Sequence, residues 1–166
     1  VATTLNRAIG WAACAAAVVL LIASLLLSAR ADAAEASVTA ATVRLPAVAG
    51  RPAAGYLTIR AGDVPFVVTG AETPLASRVE LHGTSMAGGV MRMNALPEVR
   101  VLAGQTGGFT PGGNHLMIFG LRRDVKPGAT VPITLRLAGG KTLRVDAVAV
   151  AAGAAIADPH AGHGAH

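Results

Sequence analysis

Two of the histidines and all four methionines of the chain fall between Leu81 and Leu121: His82, Met86, Met91, Met93, His115 and Met117. The other three histidines, His160, His163 and His166, lie within the last seven residues. Methionine used only to fill a core would scatter along the sequence. Imidazole and thioether side chains together make a soft, neutral donor set. Thioether sulfur is a poor ligand for zinc, calcium or magnesium and a good one for Cu(I). A donor set without carboxylate also suits a monovalent ion over a divalent one. His82, Met93, His115 and Met117 therefore read as a Cu(I) site. Taken singly, a methionine on a strand reads as core far more often than as ligand, and Met86 and Met91 are expected to be core residues.

The elements that must position these side chains read as short strands. From residue 36 onwards, β-rich runs alternate with Gly and Pro, at 37–45, 56–60, 64–69, 78–82, 90–94, 99–102 and 115–121. Residues 130–137 and 142–150 read as a hairpin turning at Gly139-Gly140. No stretch after the N-terminal segment sustains a helical apolar stripe, and the pattern predicts an all-β sandwich or barrel. His115 and Met117 are two apart on one strand and project to the same face. The turn Pro111-Gly112-Gly113 sets His115 at a strand mouth. His82 is expected to end its strand at a break at Gly83, again a mouth position. Met93 shares a face with Met91 and opposes Arg92.

Residues 8–29 are almost wholly apolar, preceded by Arg7 and followed by Ala29-Arg30-Ala31 and Ala31-Asp32-Ala33. A positive start, an apolar centre and a small-x-small exit describe a secretory signal peptide over residues 1–33. An uncleaved anchor is the alternative, since about 20 apolar residues span a bilayer. The single cysteine, Cys14, lies early in this apolar run, not at its end, and is not read as a lipidation site. Cleavage leaves no cysteine in the mature chain, so thiol catalysis, thiol–disulfide exchange and thiolate ligation are excluded. Basic residues exceed acidic ones by 14 to 9 without forming a run, and aromatics are 3% of the chain. That composition argues against nucleic acid as a partner. Residues 151–166, rich in Ala, Gly and spaced histidines, read as a flexible tail.

The four central residues fit the pattern H-x10-M-x21-H-x-M, from His82 through Met93 and His115 to Met117. This is similar to the signature of the periplasmic copper chaperones of the PCu(A)C family. The flanking text resembles that family too: Val79-Glu80-Leu81-His82, Gly89-Val90-Met91-Arg92-Met93, Ala103-Gly104 and Pro111-Gly112-Gly113. The resemblance covers residues 36–150 and is weaker over 46–75. It implies a cupredoxin-like Greek-key β-barrel, one Cu(I) held by the four matched residues, and delivery of copper towards cytochrome c oxidase or another copper chaperone. Some members carry a His- or Met-rich extension that adds Cu(II) binding, and His160, His163 and His166 resemble it, without the methionines. The protein is expected in the periplasm, as a monomer, touching the membrane only through an uncleaved N-terminus.

Other readings share some of these residues. A copper buffer or resistance protein would use the same site and pass the ion to no partner. An electron-transfer cupredoxin needs a Cys thiolate, which the mature chain lacks. A zinc hydrolase could combine His82, His115 and Glu80. Glu80, however, shares a face with His82 and could equally hold its imidazole from behind. A metal-free β-domain is the remaining alternative.

Overall fold

The computed structural model describes residues 35–156. The N-terminal segment, Cys14 and the histidines His160, His163 and His166 lie outside the described residues. Among the described residues no helix is long and apolar enough to cross a membrane.

The strands are β1 (Ser37–Arg44), β2 (Ala53–Arg60), β3 (Phe66–Glu72), β4 (Arg78–Ala87), β5 (Val90–Ala95), β6 (Val99–Val101), β7 (Thr106–Phe109), β8 (His115–Phe119), β9 (Thr130–Leu137) and β10 (Thr142–Val150). They join in the order β5-β4-β8-β2-β1-β10-β9-β3-β6, with β7 also on β2. β1 and β10 run parallel, and the other pairs are antiparallel. β2 is shared along its length: residues 53–55 pair with β8 and residues 57–60 with β7. The domain is all-β, as the alternation of short runs predicts.

Alternation decides what each strand buries. On β9, Val131, Ile133 and Leu135 are fully buried. On β2, Ala53, Gly55, Leu57 and Ile59 point inward. With Val43, Val68, Phe109, Leu116 and Ile118 they make one continuous core. Each large aliphatic side chain so buried contributes roughly 1.5–3 kcal/mol. The hairpin of β9 and β10 closes through a 3-10 turn at Ala138–Gly140, with Gly139 and Gly140 at φ 81° and 80°.

The structure departs from the sequence expectations at four places. β4 does not break at Gly83 but runs on to Ala87, so His82 sits in mid-strand and not at a mouth. Glycine is in the strand because the space is taken: a Cβ there would stand 3.0 Å from Leu96 Cδ1 and 3.2 Å from Asn114 Oδ1. β2 starts at Ala53, earlier than its branched residues suggest. Its small residues admit β8 closely, and a Cβ at Gly55 would meet Leu116 Cβ at 3.1 Å. β3 begins at Phe66, after Pro65, and extends to Glu72. β7 carries Gly107 and Gly108, which hide it in the sequence. Gly108 has φ 126°, and a Cβ there would lie 2.5 Å from the Leu57 carbonyl oxygen.

Candidate metal centre

β4 and β8 pair in a register that brings the two histidines face to face. Leu81 lies opposite Leu116 and Val79 opposite Ile118, with Leu81, Leu116 and Ile118 in the core. The alternate positions therefore project from the other face: His82 opposite His115 and Glu80 opposite Met117. The imidazole rings stand 6.0 Å apart, centroid to centroid, tilted by 37°. β5 pairs with the other edge of β4 without a register shift, setting Met93 opposite Thr84 and Met91 opposite Met86. His82, Met93, His115 and Met117 thus share one face of three adjacent strands. The structure brings together all four residues singled out by spacing.

Each imidazole has one nitrogen engaged by the protein. His82 Nε2 donates to Glu80 Oε2 at 2.9 Å. In the neutral ring this leaves the lone pair on Nδ1, which is buried and has no hydrogen-bond partner among the described residues. Such an orphaned acceptor costs free energy unless a ligand uses it. His115 Nδ1 donates to the Gly113 carbonyl at 3.2 Å, which leaves Nε2 with its lone pair. One ring is fixed by a carboxylate and the other by a backbone carbonyl, the two partners that commonly orient metal-binding histidines. The donor set fits a soft cation.

Glu80 is held in turn. Arg78 Nε donates to Glu80 Oε1 at 2.7 Å, and the Arg78 guanidinium lies 4.0 Å from the centroid of the Phe119 ring. The hydrogen bond from His82, and then that from Arg78, keep the Glu80 carboxyl below the usual carboxylate range. A line Phe119–Arg78–Glu80–His82 therefore runs up this face and ends on a metal-competent imidazole. Arg78 was not singled out in the sequence. The available signal was its spacing, two residues before Glu80 and four before His82 on an alternating strand.

Met117 is half-buried, but the other three methionines differ sharply from the histidines. His115 is buried and His82 has 13% of its side chain exposed. Met93 is 62% exposed, Met91 65% and Met86 66%. The expectation that Met86 and Met91 belong to the core is therefore wrong: the β4–β5 hairpin stands at the sheet edge, and among the described residues nothing buries these two side chains. A depression of about 350 Å³ opens here, lined among others by Tyr56, Thr84, Met91, Met93, His115 and Met117. Among the described residues no three His, Cys, Asp or Glu side chains gather as a metal-binding group. Glu80 faces His82 as its hydrogen-bond partner, which leaves the thioethers as the remaining donors.

Comparison with known proteins places this domain in the PCu(A)C type. The chain belongs to the LpqE-like family, described as "Putative lipoprotein LpqE-like", whose match covers residues 36–150. It is 36% identical to Cu(I)-bound DR1885 from Deinococcus radiodurans, a solution structure, over 74% of this chain and 83% of that one, with a TM-score of 0.57. The apo PCuAC domain from PmoF1 shares the fold at 20% identity, covering 72% of this chain and 97% of that one, with a TM-score of 0.58. "Putative lipoprotein Lxx21020" from Leifsonia xyli subsp. xyli (strain CTCB07) is 35% identical over 82 residues, 49% of this chain. The match spans about half the length of that relative, 49%.

Proposed function

We infer that this protein is an envelope copper chaperone whose cargo is a single Cu(I) ion. The ion would be held by His82 Nδ1, His115 Nε2 and the thioethers of Met93 and Met117. The observation that carries this reading is the buried His82 Nδ1 beside His115, without a partner among the described residues, each ring with its other nitrogen already committed. The Cu(I)-bound state of DR1885, a family relative, supports copper as the cargo. The word lipoprotein in the family description supports export to the cell envelope, and the apolar run at 8–29 supports the periplasm as destination.

Exposure of Met93 supports delivery over sequestration. A partner's ligands can reach an ion bound to Met93 and replace its donors one at a time, without unfolding the domain. A buffer protein would gain by burying the ion. Delivery would be to a copper-accepting protein, with cytochrome c oxidase assembly or another copper chaperone as the recipient. Nothing in this donor set calls for an enzymatic role.

The C-terminal histidines fit a supporting part. Imidazoles on a tether suit Cu(II). Ile156, where the described chain ends, lines a small hollow with Tyr56, Thr110 and Pro111. Tyr56 also lines the depression beside His115. His160 is four residues further, a reach of roughly 14 Å at full extension. Capture of Cu(II) by His160, His163 and His166 would thus hold copper at high local concentration near the Cu(I) site.

An anaerobic competition titration of the protein against a chromophoric Cu(I) chelator tests the reading. One tight Cu(I) is expected, weakened by Met93→Leu and by Met117→Leu and unaffected by deletion of residues 158–166. Weak binding, or binding that survives both substitutions, would contradict it. The same deletion should lower Cu(II) stoichiometry, and an unchanged value would remove the tail's role.

A further inference from the structure

The proposed Cu(I) site uses two of the four methionines and leaves Met86 and Met91 without a function. Neither can be explained by packing. They are 66% and 65% exposed, at the free end of a hairpin, and each forfeits most of the burial that would justify an apolar side chain there. They are not scattered surface residues either. Met86 and Met91 are direct cross-strand partners, so their side chains rise from the same face. The Cβ atoms of such partners lie about 5 Å apart. Two flexible thioethers rooted at that spacing can close on one soft ion.

Their place on the hairpin gives the pair a direction. Met93 follows Met91 by two residues on β5 and lies opposite Thr84, which is two residues from both Met86 and His82 on β4. Met86/Met91, then Met93/Thr84, then His82 with His115 form successive rungs on one face. Met91, Met93, His115 and Met117 line the same depression. Thioether density is thus continuous from the exposed hairpin end to the buried imidazoles.

We propose that Met86 and Met91 form a second, two-thioether station for Cu(I), through which the ion enters and leaves the four-residue site. This rests on the Cu(I) reading given above. The step is ligand exchange alone. A copper–sulfur bond to Met86 or Met91 breaks as one to Met93 forms, and a copper–imidazole bond follows. Copper stays Cu(I), and no proton or electron is transferred. Two thioethers alone hold Cu(I) more loosely than a set containing two imidazoles, so the station fills second and empties first.

The test uses the full chain labelled with 13C at the methionine methyl groups, which gives four signals for four methionines. Ag(I), a soft monovalent d10 ion with no accessible second oxidation state, is the probe. The first equivalent should move the Met93 and Met117 signals. Further Ag(I) should move those of Met86 and Met91 together. The Met86→Leu/Met91→Leu variant should lose the later step and keep the first, with folding preserved because both positions are exposed. In that variant Cu(I) should also pass more slowly from a chelator to the protein, at unchanged final affinity. Met86 and Met91 signals that stay still in excess Ag(I) would overturn the station, and an unchanged transfer rate would overturn its place on the route. Failure of the first equivalent to move Met93 and Met117 is a separate result, and contradicts the Cu(I) site itself.

Discussion

The two sides of the His/Met face are built on opposite terms. On the β4–β8 side, His82 and His115 are sunk into the sheet, each ring tied through one nitrogen, with Leu81, Leu116 and Ile118 fixing the backbone from the core side. On the β4–β5 side, Met86, Met91 and Met93 stand in solvent on an edge hairpin whose second strand buries nothing. The first side is preorganised, so little ordering is needed when a ligand arrives. The second is exposed and open to other molecules. A protein that must hold an ion and then release it to a partner needs both. On the proposed reading, the rigid imidazoles would supply retention and the exposed thioethers exchange.

Substitutions on the two sides should break this contrast unequally. The largest effect is expected from His115→Ala, which removes a buried donor. Tight Cu(I) binding should be lost by more than the roughly 100-fold that bounds removal of an outer partner of a metal ligand. Chelator competition reads this, with circular dichroism as the check on folding. Met117→Leu and Met93→Leu should weaken Cu(I) less, because the imidazole pair remains. Met93→Leu in particular should leave the stability of the metal-free protein within about 0.5 kcal/mol, as expected for an exposed position. A large loss in its thermal unfolding would mean that Met93 packs in the metal-free fold.

Glu80→Gln sharpens the comparison, because it leaves both imidazoles in place and alters only what holds one of them. Cu(I) affinity should fall by roughly 10-fold, the lower end for such a partner. A matched fall in the Leu substitutions and in Glu80→Gln would erase the distinction between donors and positioning residues. The smallest effect concerns acid. The folded protein holds the Glu80 carboxyl below its ordinary value of 4.5 through hydrogen bonds from His82 and Arg78. The stabilisation this represents is present above that ordinary value and is lost as pH falls through the depressed one. The difference in melting temperature between the metal-free protein and its Glu80→Gln variant should therefore close on acidification. A gap that persists unchanged into strong acid would place its origin elsewhere.

Much of this was legible in the sequence, and the reasons are specific. The H-x10-M-x21-H-x-M spacing identified the four residues that the register later brings to one face. Alternation located the β9–β10 hairpin with its Gly139-Gly140 turn, because strong β-branched runs flank it. The partnership of Glu80 with His82 was readable as one of two options, and the 2.9 Å hydrogen bond selects it. Elsewhere the local signal pointed the wrong way. Gly83 reads as a strand break, but it is a close-approach point where Leu96 and Asn114 press on the backbone. Gly107 and Gly108 conceal β7, since a strand made of glycine has no side-chain pattern. Met86 and Met91 read as core because methionine usually is. Their exposure depends on the hairpin lying at a sheet edge, which no local pattern encodes.

Copper K-edge X-ray absorption on the protein loaded with one equivalent of Cu(I) tests the central claim most directly. A first shell containing sulfur and nitrogen in equal number is expected, with the sulfur contribution lowered in the Met93→Leu/Met117→Leu variant. A shell of nitrogen and oxygen alone, or a sulfur contribution unchanged by that double substitution, would contradict it.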